Sequence, residues 1–436
     1  MSSLPNKKLF IQTMGCAMNE KDSENMIAEL CIKDNYILTA TLEDADLIIL
    51  NTCSVREKPV SKLFSLLGEI NKQKKQKAKI GVCGCTASHL SSEIIKRAPY
   101  VDFVLGARHV SKITQAIKTK GFVDVDIDYD ETAYQFGSFE TQTYKRKINI
   151  SIGCDKSCTF CIVPNTRGSE ISIPKELILQ EISKAVDGGV LEVLLLGQNV
   201  NNYGKTFSNK NSKSSFVELL RDISKIKKLK RIRFASPHPL HMDDEFIDEF
   251  VTNDKICKNI HIPLQSGSSK VLKDMRRGYT KEWFMNRCQK IRELSKDVRI
   301  STDIIVGFPT ESQKDFDDTI DVIKKVKFDQ IFNFKYSSRP NTQAEHFSSI
   351  VSKEQASSRL EQVIELHKTQ VDEKMPSNIN KTYKVLFEQK KENGNFIGFS
   401  DNGYQIEVQN EKDILGEILD VNITNFHRTY LEGKII

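Results

Sequence analysis

The stretch Cys154-Asp155-Lys156-Ser157-Cys158-Thr159-Phe160-Cys161 places three cysteines at the spacing C-x3-C-x2-C, directly after the apolar segment 148–153. Thiolates this close together on one loop can bind three irons of a single 4Fe-4S cube. The next cysteine is Cys257, so the fourth iron would have no nearby protein thiolate and could bind a small molecule. The spacing therefore predicts an iron–sulfur site with one open iron.

A zinc site and a disulfide scaffold are the alternatives for these cysteines, and both remain open. A structural zinc site prefers a fourth nitrogen or sulfur ligand and paired C-x2-C units, which this loop lacks. A disulfide scaffold is typical of small secreted domains, whereas this chain has 436 residues. Both alternatives fit the spacing less well than a cluster does.

The composition is that of an ordinary globular protein, with 39% hydrophobic residues and ten cysteines. A chain of this length has room for two or three domains. Residues 1–15 contain no apolar leader, and no apolar run is long enough to span a membrane. We therefore expect a cytoplasmic protein without a membrane segment, whose thiols are reduced or bound to metal.

Residues 1–121 alternate apolar runs with amphipathic segments, which predicts an open parallel sheet with helices on both faces. The predicted strands are 9–12, 46–50, 79–82 and 101–104. The predicted helices are 20–33, 57–74, 90–97 and 110–118.

Three cysteines, Cys16, Cys53 and Cys85, each follow the end of a predicted strand. The carboxyl edge of an open parallel sheet is where ligands bind, so the three thiols could hold a second cluster with an open iron. The alternative is a set of three unrelated core thiols. Cys83 is the rival third ligand, but strand alternation turns it toward a face of the sheet, which favours Cys85 on the loop.

The acidic and aromatic segment 122–144 is interpreted as a linker, with room for a short hairpin. From 145 to 372 the strand–helix pattern returns with six strands, at 148–152, 192–196, 231–235, 259–263, 299–306 and 330–336. Six β/α units predict a partial (β/α)6 barrel, whose active site would lie in the loops at the carboxyl ends of the strands. Residues 376–436 change to four short alternating strands, at 382–387, 396–400, 404–408 and 416–423, which predict a small β-barrel.

Three basic runs are candidate RNA contacts: 72–79, 145–147 and 227–233. Lysine and arginine side chains can follow a nucleic-acid backbone. A solvated helix face is the commoner meaning of any single run.

Four segments together resemble the methylthiotransferases, a family of radical S-adenosylmethionine (SAM) enzymes, and the resemblance covers nearly the whole chain. The segments are Thr13-Met14-Gly15-Cys16-Ala17-Met18-Asn19, Asn51-Thr52-Cys53-Ser54-Val55-Arg56-Glu57, Gly84-Cys85-Thr86-Ala87-Ser88 and Cys154 to Cys161. The family has an N-terminal cluster domain, a radical-SAM barrel and a C-terminal TRAM domain. We therefore expect these three domains at 1–121, 145–372 and 376–436, with the linker at 122–144.

The resemblance implies a set of cofactor ligands. Cys154, Cys158 and Cys161 would hold the 4Fe-4S cluster that cleaves SAM. Cys16, Cys53 and Cys85 would hold an auxiliary 4Fe-4S cluster. The SAM pocket would be lined by residues from the strand-end loops, namely Gln198, Asn199, Ser266, Gly267 and Gly307.

The resemblance also implies a reaction. One SAM methylates a sulfur on the auxiliary cluster, and a second SAM supplies the radical. The methylthio group goes to carbon 2 of the adenine next to the anticodon of tRNA, which already carries N6-dimethylallyl. The segments around Cys16 and Cys53 are most similar to that branch, although Ala17 stands where the branch has Gln. The partners would be the tRNA anticodon stem-loop, SAM and an external low-potential electron donor, with the chain a monomer.

Alternative functions come from the sister branches and from another class of protein. The sister branches modify threonylcarbamoyladenosine in tRNA or an aspartate of a ribosomal protein. The third alternative is a non-catalytic iron–sulfur protein that binds RNA. The residues after Cys16 and Cys53 argue against the sister branches, and two open-iron cysteine sets argue against a purely structural role. Cys31, Cys257 and Cys288 have no partners at ligand spacing and are interpreted as structural.

Overall fold

A computed structural model of the chain describes residues 7–54, 57–128, 144–207 and 214–436. The hairpin considered for the linker falls mostly on 129–143, outside the described residues. The described parts form a parallel α/β domain, a partial β/α barrel and a closed β-barrel, which confirms the predicted fold class.

The N-terminal domain is built on six parallel strands in the order β2-β1-β3-β4-β5-β6. Its central strands are apolar on both faces, as expected for a sheet covered by helices on each side. The short edge strands β2 and β6 are not among the predicted strands, and β6 lies within the segment interpreted as a linker. The strands are β1 (Lys7–Met14), β2 (Tyr36–Leu38), β3 (Leu47–Thr52), β4 (Lys79–Gly84), β5 (Phe103–Gly106) and β6 (Phe122–Asp124).

The helices of this domain differ from the prediction at one point that matters for the site. The segment 90–97 is not one helix, because the chain breaks at Ser91, where φ is 49°. Cys85 is the first residue of a helix, so its expected position on a loop is wrong. The helices are α1 (Ala17–Asp34), α2 (Glu57–Gln73), α3 (Cys85–Leu90), α4 (Glu93–Arg97) and α5 (Ile113–Ala116).

The six predicted barrel strands are present, but the predicted strand 148–152 is divided between Lys145–Asn149 and Ser151–Ile152, and the short strand Ile171–Ser172 was not predicted. The long strands form two parallel sheets, β11-β10-β7 and β12-β13-β14, joined by the Ile232–Ile256 bridge. The strands are β7 (Lys145–Asn149), β8 (Ser151–Ile152), β9 (Ile171–Ser172), β10 (Glu192–Leu196), β11 (Arg231–Phe234), β12 (Asn259–His261), β13 (Arg299–Val306) and β14 (Gln330–Lys335).

The barrel helices cover the outer face of these strands and bury the largest apolar core of the molecule against them. Several helices begin at a serine, threonine or aspartate that accepts a backbone N–H, for example Thr280 and Ser312, as N-caps do. The helices are α6 (Val163–Arg167), α7 (Lys175–Asp187), α8 (Phe216–Ser224), α9 (Asp244–Thr252), α10 (Ser269–Asp274), α11 (Lys281–Leu294), α12 (Gln313–Val326) and α13 (Lys353–Lys374). No helix in the four described ranges is long and apolar enough to cross a membrane.

The C-terminal domain is a closed barrel of five strands with its own apolar core. The prediction found the first four strands and missed the last, β19, which pairs in parallel with β17 and closes the barrel. The strands are β15 (Thr382–Lys390), β16 (Phe396–Ser400), β17 (Gln405–Val408), β18 (Ile418–Phe426) and β19 (Leu431–Ile435).

In two of the candidate RNA-binding runs, some of the basic side chains join domains instead. Arg231 is 3% exposed and donates to the carbonyl oxygens of Phe399 and Lys384 in the C-terminal barrel, each at 2.8 Å. Arg233 donates to Ser400 O at 2.8 Å and to the buried Glu192 carboxylate at 3.0 Å. For these two arginines the RNA interpretation is wrong, since their guanidinium groups are committed to protein acceptors.

The run 145–147 has a similar role at two domain boundaries. Lys145 forms ion pairs with Glu192 and with Glu388 of the C-terminal barrel. Lys147 forms ion pairs with Glu20 and Glu24 of the N-terminal domain, at 3.2 and 3.3 Å. These contacts fix both outer domains to strand β7 and so position the cysteine sites relative to each other.

Candidate functional site

The three cysteines of the C-x3-C-x2-C loop line one cavity of about 410 Å³. Cys158 interacts electrostatically with both Cys154 and Cys161, as expected for three thiols that lie close together around one cavity. Burial raises the pKa of Cys154 to about 11 and that of Cys161 to about 12. A thiol with such a pKa needs a metal to hold it as the thiolate.

Arg277 is the buried cation of this first site. Its Nη1 donates to Cys158 Sγ at 3.3 Å, and its Nη2 donates to the carbonyl oxygen of Pro263 at 3.1 Å. Thr159 within the motif donates its backbone N–H to Met275 O at 3.2 Å, which fixes the loop to the segment after α10. The loop is therefore held in place by the barrel wall, with one positive charge against one of its thiols.

The second cysteine set comes together at the carboxyl edge of the N-terminal sheet, as predicted for ligands of parallel sheets. Cys16 directly precedes α1, Cys53 directly follows β3, and Cys85 begins α3 after β4. A hydrogen bond from the Cys53 thiol, aided by the charge of Arg167, lowers the pKa of Cys16 to about 5, although burial opposes this. The Cys16 thiol is thus prepared to act as a thiolate.

Buried amides fix the strand ends that carry these cysteines. Asn51 Nδ2 donates to the backbone oxygen of Asn19 at 2.7 Å, and Asn19 Nδ2 donates to Asn51 Oδ1 at 3.2 Å. Gly84 approaches the same pair so closely that a Cβ atom would lie 2.2 Å from Asn51 Oδ1, and its φ is +89°. A glycine is required here to turn the chain before Cys85.

Arg167, at the end of α6, comes soon after the first cysteine loop in sequence but contacts the second cysteine set. It lies six residues after Cys161 in sequence, yet its Nε donates to Cys85 Sγ at 3.3 Å. Its Nη2 pairs with Asp22 of α1 at 2.6 Å. Although burial disfavours the charged form, the negative charges of Asp22, Cys85 and Cys16 raise the pKa of this guanidinium above its usual value.

Cys83, the rival third ligand, lies in a different environment. It is 1% exposed and packs in the apolar core beneath the sheet, against α1 and α5. Burial in this apolar core raises its pKa well above that of an ordinary thiol. Cys85, which receives the Arg167 hydrogen bond, is the better candidate.

Gln198 and Asn199 lie at the carboxyl end of β10, where the sequence predicts the SAM pocket. Asn199 is 1% exposed, and neither amide atom of its side chain has a protein hydrogen-bond partner. Gln198 Nε2 contacts Met18 Sδ, whereas its Oε1 is buried without a partner. Unpaired buried polar atoms are costly in a folded protein, so these atoms are positioned for a polar ligand.

The other three predicted SAM-pocket residues contact α12, α13 or the loop before α12. Ser266 lies 3.5 Å from the Thr319 hydroxyl, and the Gly267 N–H donates to Thr319 Oγ1 at 2.9 Å. The N–H of Gly307 donates to the Glu311 carboxylate, and a Cβ at this glycine would lie 2.7 Å from Ala356 of α13. These contacts brace the strand-end loops against α12 and α13, and none of them is to Gln198 or Asn199.

The histidines near the barrel are consistent with structural or substrate-positioning roles. His238 accepts the Leu240 N–H at its Nδ1, and burial lowers its pKa to about 2, which keeps the ring neutral. His261 contacts Ser301 at 3.0 Å and Asp303 at 3.3 Å, and its ring packs edge-on against Phe332.

The surroundings of both cysteine sets are compatible with a bound 4Fe-4S cluster. Among the described residues no group of three Cys, His, Asp or Glu side chains could hold a single metal ion. A cube binds each thiolate through a different iron, so its ligands need not converge on one point. Three thiols share the first cavity, and three polar atoms beside the second set are buried without partners, namely Ser54 Oγ, Thr86 Oγ1 and Arg167 Nη1.

Comparison with protein families divides the chain as the fold does. Residues 8–106 match uncharacterized protein family UPF0004, residues 148–323 match the radical SAM superfamily, and residues 376–436 match the TRAM domain. Among curated proteins, the tRNA-2-methylthio-N(6)-dimethylallyladenosine synthase of Sulfurimonas denitrificans is 62% identical over 430 residues, covering 99% of both chains. Enzymes of the same name from Nitratiruptor and Campylobacter jejuni are 60% and 58% identical over the same length.

The chain belongs to the family of tRNA-2-methylthio-N(6)-dimethylallyladenosine synthases. This membership confirms the resemblance inferred from the cysteine segments. A radical SAM methyltransferase from Kitasatospora setae, TsrM, has a related fold, with a TM-score of 0.55 at 11% identity over 78% of this chain and 75% of that one. The radical SAM match implies SAM and a 4Fe-4S cluster for this family.

Sequence reasoning missed the charged residues that surround the thiols. Arg167, Asp22 and Arg277 belong to no cysteine motif. Arg167 and Arg277 lie far in sequence from the thiols they contact, and Asp22 pairs with Arg167. The one signal in the sequence is the position of Arg167, six residues after Cys161 and directly before Gly168, which places a cation near the cluster loop. Nothing in the sequence indicated that its guanidinium reaches Cys85.

Proposed function

We propose that the protein adds a methylthio group to carbon 2 of N6-dimethylallyladenosine next to the anticodon of tRNA. The observation that carries the proposal is the presence of two separate three-cysteine sites in a chain that matches enzymes of this name over its full length. A reaction that both transfers sulfur and activates an unreactive aromatic C–H bond requires two such sites.

In this proposal Cys154, Cys158 and Cys161 hold the cluster that binds SAM. When bound and reduced, that cluster supplies the reductive cleavage of SAM to a carbon radical, the chemistry that protein side chains cannot provide. The cavity beside the three thiols, about 410 Å³ in volume, leaves room at the open iron. The protein's own contribution is to fix the loop through Thr159 and Met275 and to exclude water.

Cys16, Cys53 and Cys85 hold the second, auxiliary cluster, which carries the sulfur to be transferred. Support comes from the lowered pKa of Cys16 and from the N–H of Arg167 on Cys85, both of which favour thiolates. The contact between Met18 of α1 and Gln198 of the barrel brings the two sites to one side of the molecule.

We further propose that Gln198 and Asn199 bind SAM through their unpartnered amide atoms. Ser266, Gly267 and Gly307 belong to the same pocket as backbone positions, since they shape the neighbouring strand-end loops. The amino and carboxylate groups of SAM are matched by amide oxygens and N–H groups of this kind.

The remaining features of the proposal follow from the substrate. The tRNA binds through its anticodon stem-loop, an external low-potential donor reduces the clusters, and the chain acts as a monomer in the cytoplasm. An apolar pocket distinguishes dimethylallyladenosine from adenosine, because burying five carbons at roughly 0.8 kcal/mol each contributes several kcal/mol.

The test is nucleoside analysis of tRNA from cells that lack the protein. The 2-methylthio nucleoside should be absent and its N6-dimethylallyl precursor should accumulate. Complementation with the intact gene should restore the product, whereas a Cys154/Cys158/Cys161→Ala gene should not. Unchanged methylthiolation in the deleted strain would refute the proposed function.

A further inference from the structure

The guanidinium of Arg167 is a buried charge in direct contact with the second cysteine set. It is 2% exposed and has its Nε 3.3 Å from Cys85 Sγ, with Asp22 bound at Nη2. Arg108 fixes the backbone of the same segment by donating its Nη1 to Arg167 O at 2.7 Å and to Ser169 O at 3.2 Å. Both the side chain and the backbone of Arg167 are therefore fixed, so its buried charge has a defined position beside the cysteines.

One nitrogen of this guanidinium remains available. Arg167 Nη1 is buried and has no hydrogen-bond partner in the protein. Leaving a charged N–H group buried and unpaired is costly, so an acceptor is expected beside it. The acceptor that best fits is an anionic sulfur, since the same guanidinium already donates to one thiol of the set.

We infer that Arg167 is a positioning residue that sets the reduction potential of the group held by Cys16, Cys53 and Cys85, with Nε on Cys85 and Nη1 on a sulfur of that group. The inference rests on the proposed second cluster. Hydrogen bonds to sulfur, net charge and burial determine the potential of an iron–sulfur cluster. Away from water a fixed positive charge is weakly screened, so it favours the state that carries one more electron.

Arg277 provides a matched control at the other site, because it also donates to a thiol at 3.3 Å, through Nη1 to Cys158 Sγ rather than through Nε. The two arginines are therefore expected to act each on its own cluster. This pairing separates an electrostatic role from a general effect on folding.

The experiment is a redox titration of the reconstituted two-cluster protein, monitored by electron paramagnetic resonance. The Cys154/Cys158/Cys161→Ala variant keeps only the second cluster and therefore identifies its signal. Arg167→Gln should make reduction of the second cluster at least tenfold less favourable, a shift of about 59 mV to lower potential. The first cluster should not shift. Arg167→Lys, which keeps the charge, should recover most of the wild-type potential.

Two further variants complete the test. Arg277→Gln should lower the potential of the first cluster alone. Asp22→Asn keeps the guanidinium and removes its carboxylate, so it should raise the potential of the second cluster. If Arg167→Gln does not retain the second cluster, Asp22→Asn decides.

Certain results would overturn the inference. The first is a shift of the second-cluster potential smaller than about 59 mV in Arg167→Gln. The second is an equal shift of both clusters. The third, where Arg167→Gln does not retain the second cluster, is no shift in Asp22→Asn. The iron content of the wild-type protein tests the proposed function separately from this role of Arg167.

Discussion

The two cysteine sites resemble each other in composition and differ in how the chain builds them. Each combines three thiols with one buried arginine whose nitrogen lies 3.3 Å from a sulfur. The first set lies within eight consecutive residues of one loop, whereas the second is collected from the ends of three strands. A site of the first kind is specified by spacing, and one of the second kind exists only when the whole sheet is folded.

The difference extends to the electrostatics of the thiols. Burial raises the pKa of Cys154 and Cys161, whereas Cys53 and Arg167 lower the pKa of Cys16. The assembled site is therefore polarised by its neighbours before any metal binds, and the loop site depends on the metal to ionise its thiols. This contrast suggests that the two sites can be inactivated independently.

The largest expected effect is the separation of the two sites by triple substitution. Anaerobically reconstituted wild-type protein should contain about eight irons, the content of two 4Fe-4S cubes. Cys154/Cys158/Cys161→Ala should retain about half of the iron and lose SAM cleavage altogether. Iron analysis and quantification of 5′-deoxyadenosine check both outcomes.

The reciprocal variant gives the opposite pattern. Cys16/Cys53/Cys85→Ala should also lose about half of the iron but should still cleave SAM, because the loop site is intact. It should form no methylthio product. Loss of SAM cleavage in this variant would show that the sites are not independent.

The next prediction concerns the third thiol of the assembled site. Cys85→Ala removes the acceptor of the Arg167 Nε–H, and we expect it to abolish methylthiolation while leaving SAM cleavage in place. Cys83→Ala is the matched control, since Cys83 packs in the apolar core two residues earlier. It should lower stability modestly and keep full iron content. The reverse pattern would make Cys83 the ligand.

A smaller effect is expected from Asn199→Ala at the SAM pocket. Hydrogen bonds to charged groups contribute about 1.5–3 kcal/mol, so SAM should bind roughly 10- to 150-fold more weakly, with iron content unchanged. Isothermal titration with the cluster-loaded protein measures the change. Asn286→Ala, on the exposed face of α11, is the control and should bind SAM normally. Unaltered affinity in Asn199→Ala would remove this residue from the pocket.

The smallest effect is expected from lysines that stay exposed in the runs 72–79 and 227–233. These are Lys72, Lys77, Lys227 and Lys230. Each lysine that contacts a phosphate should flatten the log–log salt dependence of tRNA binding by roughly one unit when changed to Gln. Arg231→Gln is the contrasting variant: it should lower thermal stability, because it loosens the C-terminal barrel, and should leave the salt slope unchanged. An unchanged slope in the lysine variants would show ordinary solvated surfaces.

Strand periodicity predicted the three-part fold because each apolar run is long enough to be recognised by itself. The edge strands β2 and β6 have three residues each, and β19 is short with Gly433 at its centre, so local patterns missed them. The cysteines were found because their spacing and strand-end positions carry chemical meaning. Arg167 and Asp22 could not be found, since a buried ion pair between α6 and α1 follows only from tertiary packing.

The basic runs show the same limit from the other side. Arg231 and Arg233 have the sequence of a solvated or RNA-binding surface, but strand alternation directs both toward the C-terminal barrel and Glu192. Charge in a sequence does not say which partner satisfies it. The partners of each guanidinium are determined only when the domains are in contact.

The measurement that tests the central claim most directly is a competition assay in which three substrates are offered together to the two-cluster protein. The methylthio product of each substrate is quantified by mass spectrometry. The substrates are a tRNA bearing N6-dimethylallyladenosine, the same tRNA without the modification, and a ribosomal protein carrying the aspartate that a sister branch modifies. We predict turnover of the first, with a strong preference over the second, and no product from the third. Equal turnover of both tRNAs would contradict the apolar pocket, and methylthiolation of the ribosomal protein would contradict the proposed function itself.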